Sequence, residues 1–155
     1  MQLTHLDHNG QVNMVSVEDK SPTKRYAIAE GKILVKPHVL ALLKEGAPKG
    51  NVIATAKIAG IMGAKKTSEL IPLCHNLNLD KVSVDVEEIT DGLHVTSYAS
   101  CEGKTGVEME ALTAVSIALL TIYDMLKAAD KSMTIEYVRL TEKDGGKSGK
   151  YVREK

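Results

Sequence analysis

The chain has 155 residues, with 20 basic side chains against 20 acidic ones, no Trp, no Phe and five Tyr. That length suffices for one domain burying roughly 68–70% of its unfolded surface. The charge balance argues against a general nucleic-acid binder, and the shortage of aromatic rings leaves no stacking platform for an RNA-reading sheet.

The opening MQLTHLDHNG has no basic stretch followed by an apolar core, so it is not read as a signal peptide. Residues 1–23 read as a polar, flexible arm with a turn at Asn9-Gly10. Alternations at 14–17 and 24–29, separated by Ser21-Pro22, predict short extended pieces, and 32–35 predicts the first strand. Pro37 suits a helix start, and 38–44 carries a helical pattern that the 46–50 loop ends. Asn51 is the expected N-cap of a helix over 52–66 whose small residues admit close packing, and 67–70 reads as one further turn. Pro72 makes the stretch Ile71-Pro72-Leu73-Cys74-His75-Asn76 a fixed loop.

Residues 79–88 alternate Val82, Val84 and Val86 against Ser83, Asp85 and Glu87, a half-buried strand. Asp91-Gly92 predicts the hairpin to a partner strand over 93–100. A run of about 22 residues after Gly106, without Gly or Pro, predicts a long helix. On it Glu110, Thr113, Ser116, Thr121, Asp124 and Lys127 fall within an arc of roughly 140°. The other face, Met109, Leu112, Val115, Leu119, Ile122 and Leu126, is expected to be buried in the domain or between subunits. Thr113, Ser116, Thr121 and Asp124 interrupt it, which argues against a membrane span. A last strand over 133–141 precedes a flexible glycine-rich tail, residues 143–155.

The expected fold is α+β: one domain over 1–155 in a ferredoxin-like βαββαβ pattern with an extra helix in the first crossover. It has a four-stranded antiparallel sheet with helices on one face. Such a fold does not specify a function.

The polar stripe admits two readings: the wall of a polar pocket, or an Asp124/Lys127 pair on a wet helix face. Lys49, His75, Lys104 and Lys147 stand beside backbone breakers, where functional groups often sit but where a solvated lysine or a structural histidine is also ordinary. Cys74, His75, His94 and Cys101 have no compact zinc spacing, and no feature marks Cys74 as a nucleophile. Two cysteines outside any CxxC, with no export signal, are expected to be free thiols in the cytoplasm. Gly103-Lys104-Thr105-Gly106 lacks the preceding glycine of a P-loop, yet a glycine loop entering a helix can hold an anion. Lys49, Lys104 and Lys147 could supply the countercharge.

The stretches KKTSELIPLCHNL and GKTGVEMEALTA, followed by TIYDM and the terminal GGKSG, together resemble one family. So do MVSVEDK, TKRYAIAEG and PKGN, so that the likeness covers nearly the whole chain. It is the molybdenum cofactor biosynthesis protein C family, the cyclic pyranopterin monophosphate synthases. The resemblance implies a cytoplasmic lyase acting early in molybdopterin synthesis. It converts a 3',8-cyclised dihydro-GTP derivative, made by a radical GTP cyclase, into cyclic pyranopterin monophosphate and releases pyrophosphate. It further implies a homohexamer built as a trimer of dimers, with active sites between subunits and functional coupling to the radical cyclase. Carried over by residue, Asp124 is the catalytic aspartate, with Lys127 and His75 in acid/base chemistry. Leu73, Cys74 and His75 form a substrate loop; Met109 and Glu110 contact substrate with Glu108 beside them; Lys49 and Lys147 meet the triphosphate. Asn76 stands where proline is usual, and Asn51 and Ser16 where aspartate is usual. No metal or cofactor, no nucleic acid and no membrane are expected. The alternative is a non-catalytic module that binds a purine triphosphate and a partner enzyme.

Overall fold

The computed structural model describes residues 5–17 and 22–155, so the part of the arm at 1–4 and 18–21 lies outside them. Asn9-Gly10 forms the expected turn: the Asp7 carboxylate accepts from the Asn9 and Gln11 amides, and Gly10 adopts φ 76°. Residues 14–17 join no strand.

One antiparallel sheet organises the rest. β1 (Thr23–Leu34) is followed by two single helical turns, α1 (Pro37–Leu40) and α2 (Leu42–Glu45), then α3 (Val52–Lys65) and α4 (Thr67–Leu70). The hairpin β2 (Leu79–Ile89) and β3 (Gly92–Gly103) leads to α5 (Glu108–Leu126), then β4 (Thr134–Asp144) and β5 (Tyr151–Val152). The strand order is β2-β3-β1-β4-β5, every neighbour antiparallel. The fold is therefore α+β, with five strands where four were expected. The added strand comes from the tail, where Tyr151 and Val152 pair with Lys143 and Glu142.

The two pieces expected at 24–29 and 32–35 are one continuous strand. Gly31 joins them: a Cβ there would stand 2.7 Å from Leu119 and Val115, so the bare backbone lets α5 lie directly on β1. Ala27, Ala29 and Ile33 on this face are fully buried, while Tyr26, Glu30 and Lys32 on the other remain partly exposed. α3 and α5 cover the same face. The Ser97 hydroxyl of β3 donates to the Ala111 carbonyl of α5 (2.7 Å), and Val84 of β2 meets α3 at Gly60. Gly60 and Gly63 let the two helices touch, since a Cβ on Gly60 would be 2.9 Å from the Ala114 carbonyl oxygen.

The core is completed by Leu93, Val115, Leu119, Ile122 and Leu126, each at 0% exposure. Burying such a side chain contributes about 1.5–3 kcal/mol. α5 is long and apolar enough to cross a membrane by length and composition, with a mean hydropathy of 1.5. Its apolar side is consumed by the sheet, which makes it the central helix of a folded core. Met109, expected on the buried side, is 37% exposed.

Candidate active site at the two ends of the long helix

At the C-terminal end of α5, Asp124 stands between two ammonium groups. Its Oδ2 accepts from Lys49 Nζ at 2.9 Å, and its Oδ1 lies 3.2 Å from Lys127 Nζ. Lys127 arrives by helix geometry, three residues on. Lys49 arrives from a tight turn: the Gly50 amide donates to the Ala47 carbonyl at 3.0 Å, with Pro48 in the second position and Gly50 at φ 100°. Asn51 then caps α3, its side-chain oxygen accepting from the Ala54 amide at 2.9 Å. Where the family resemblance leads one to expect aspartate, asparagine provides the same cap. The hydrogen bond from Lys49, then that from Lys127, holds the Asp124 carboxyl below the usual carboxylate range. All three side chains are about half exposed in the single chain. The stripe is thus wet at this end, but it carries a three-group cluster that reaches onto a second element.

The other end differs. Glu110, in the first turn of α5, is only 5% exposed, and its Oε2 has no hydrogen-bond partner. Burial, opposed by a backbone hydrogen bond and reinforced by the Glu108 charge, pushes its pKa up to about 7. Cys74 lies within its electrostatic reach; burial and then Glu110 push that thiol up, and Cys101 responds in the same way. The Cys74 loop is built like the Lys49 turn, with the Cys74 amide donating to the Ile71 carbonyl at 3.1 Å across Pro72 and Leu73. His75 follows on the same loop, partly exposed, and Met109 stands exposed next to Glu110.

Lys147 belongs to this end as well. Thr23 pairs with Gly103, and Tyr26 with Asp144, so the 103–106 and 145–149 loops leave the sheet side by side. Lys147 itself is exposed. Among the described residues, no three His, Cys, Asp or Glu side chains stand close enough together to hold a metal ion.

Within one chain the expected residues therefore form two groups. Lys49, Asp124 and Lys127 meet at one end; Leu73, Cys74, His75, Glu108, Met109, Glu110 and Lys147 gather at the other. The 14 residues from Glu110 to Asp124 correspond to about 21 Å of helix. The burial of Glu110 was missed from sequence because the 140° arc treated the stripe as uniform. The available signal was that Glu110 lies about 100° around the helix from Lys127, near the edge of that arc.

The class defined here is a small α+β domain with a carboxylate clasped by lysines and a second, buried carboxyl beside proline-fixed loops, the kinds of group that proton transfer on an anionic small molecule uses. Comparison with known proteins narrows the class. The MoaC family model matches residues 14–146. A cyclic pyranopterin monophosphate synthase of Methylobacterium nodulans is 57% identical over 155 residues, covering 98% of this chain and 97% of the relative. One from Novosphingobium aromaticivorans is 59% identical over 148 residues, covering 95% and 94%. One from Desulfatibacillum aliphaticivorans is 57% identical, covering 97% of each. The chain belongs to the MoaC family.

Proposed function

We infer that the chain is a cyclic pyranopterin monophosphate synthase, a lyase of molybdenum cofactor biosynthesis, as its relatives are named. The observation that carries the reading is the Lys49–Asp124–Lys127 cluster, which comes from two separate elements and sits at positions the family resemblance singles out. Converting a 3',8-cyclised dihydro-GTP derivative opens one ring, closes another and expels pyrophosphate, so protons must be moved and phosphate charge balanced. In our reading Asp124 and Lys127 move protons, with His75 on the opposing loop, and Lys49 and Lys147 face the triphosphate. Leu73, Cys74, Glu108, Met109 and Glu110 shape the cavity around the base.

Reacting groups must come within about 3.5 Å of one another, so groups about 21 Å apart on one helix cannot act on the same atoms. We therefore propose that each active site draws one group from each of two copies. Met109, Ser116, Leu120 and Lys127 share an arc of about 40° on the outer side of α5, where Leu120 is exposed; Ile58 and Met62 of α3 are exposed as well. A second copy turned end for end over that apolar strip would bring Glu110 of one chain toward Asp124 of the other. Three such dimers give the hexamer that we propose. We further read the β2-β3-β1-β4 order as ferredoxin-like, with β5 appended to a single domain. Action in the cytoplasm, downstream of a radical cyclase, follows from this activity.

Incubation with the cyclised substrate and assay for released pyrophosphate tests the activity directly; binding without release would favour the non-catalytic alternative. Subunit mixing tests the shared site. D124N and E110Q are each expected to be inactive, and co-assembled D124N/E110Q dimers to regain activity, because one of their two sites is intact. No regain in verified mixed dimers would overturn the shared site.

A further inference from the structure

We propose that Arg25 is a positioning residue for the triphosphate end of the substrate: it fastens the 103–106 and 145–149 loops, which carry Lys104 and Lys147, into one wall. The proposal rests on the reading above, in which Lys147 meets triphosphate.

Arg25 projects from β1 on the same face as Ala27, beside Cys101 of β3. Its Nε donates to the Gly103 carbonyl at 3.0 Å, which ties it to the loop before α5. The other side of the guanidinium lies against the second loop. A Cβ on Gly146 would overlap Arg25 Nη1, and one on Gly145 would overlap the Lys24 carbonyl and stand 2.9 Å from Arg25 Cα. Both glycines have positive φ, 102° at Gly145 and 80° at Gly146. The tail glycines thus serve two ends: they permit the turn, and they leave the backbone bare where the guanidinium rests. The loop's own braces, Asp144 Oδ1 to the Gly145 amide and Lys143 to Ser148, do not reach the 103–106 loop. Arg25 does.

An open cavity of about 430 Å³ lies alongside, lined by Lys24, Arg25, Tyr26, Asp80, Asp144 and Gly145 among others. Asp80 and Asp144 offset Lys24 and Arg25 in this lining, and Arg25 Nε is already committed to the Gly103 carbonyl, so the role proposed for Arg25 runs through the loops it holds and not through a phosphate contact. A lysine would keep the charge but not the shape, because here one planar group both donates to the Gly103 carbonyl through Nε and packs against Gly146 with Nη1.

The test measures binding of GTP and of GMP to the assembled protein, alongside pyrophosphate release. R25Q and R25K are both expected to weaken GTP by about tenfold or more while GMP stays within about twofold. G146A removes no charge and disturbs the same contact from the loop side, so it should weaken GTP similarly. The R25Q/G146A pair should be non-additive. A G146A protein with wild-type GTP affinity, an R25K protein with wild-type GTP affinity, or R25Q losses equal for GTP and GMP would overturn the clamp. Should R25Q fail to fold, G146A and R25K decide. Wild-type protein that binds both ligands alike, with Lys147→Ala unchanged, would fail the triphosphate reading and the clamp with it. Wild-type protein that releases no pyrophosphate would fail the synthase reading alone.

Discussion

Glu110 and Asp124 are carboxylic acids on one helix, yet their surroundings set them apart. Glu110 is enclosed, with an oxygen that meets no donor, and its proton is held up to a pKa of about 7. Asp124 is half exposed between two ammoniums and stays ionised well into acid. Two carboxyls whose environments push their proton affinities in opposite directions are the raw material of acid/base chemistry. The contrast teaches that in this helix position relative to the core, and not residue type, sets the charge state.

The contrast can be broken most sharply at Asp124. Asp124→Asn keeps the shape and removes the charge; turnover should fall by about 10²–10⁴-fold, read as pyrophosphate release. The melting temperature should hardly move, because half-exposed ion pairs contribute little. Near wild-type turnover would remove Asp124 from the chemistry.

Glu110→Gln sharpens the other side. The folded-state pKa lies above the unfolded one, so the folded protein binds the extra proton between about pH 4.5 and 7. Stability from this group is full below the lower value and declines as pH rises through the upper one, by on the order of 3 kcal/mol. The wild-type melting temperature should therefore drop relative to Glu110→Gln across that window, and the variant should be the more stable of the two at pH 8. Parallel melting curves at all pH values would refute the assignment.

A third substitution tests the frame that holds the ends apart. Gly60→Ala forces a methyl against the Ala114 carbonyl, and denaturant unfolding should show a loss of about 1–3 kcal/mol with no new pH dependence. Smallest of all are the changes at Asn51. Asn51→Ala removes the α3 cap beside Lys49 and should cost about 1 kcal/mol, whereas Asn51→Asp should be near neutral.

Much of this was readable in the sequence. The Val82, Val84, Val86 alternation, the Asp91-Gly92 hairpin, the Asn51 cap and the long helix all appear where periodicity and turn chemistry place them. Local rules suffice there because each signal is contained in one element. The unity of β1 was not readable, because Gly31 looks like a break until α5 is seen resting on it. The pairing of β5 depends on tertiary contact with β4. At the candidate site, the Asp124/Lys127 spacing was visible and the arrival of Lys49, 75 residues earlier, was not. Backbone breakers singled out Lys49 and the resemblance tied it to the triphosphate, but neither paired it with Asp124. The exposure of Met109 was on the helical wheel, since 18 residues at 100° put it at the same angle as Lys127, whereas the enclosure of Glu110 depends on tertiary packing, with α3 meeting α5 at Ala114, Ile117 and Ala118.

The bare seam at Gly31, Gly60 and Gly63 leaves α5 no slack, and so the helix works as a ruler. Adding one residue between Glu110 and Asp124 would turn everything beyond it by about 100° and shift it by about 1.5 Å. Adding a whole turn would restore the phase but lengthen the gauge by about 5.4 Å. A loop away from Lys49, His75 and Lys147 can lengthen without moving these two acids, whereas an insertion between them cannot.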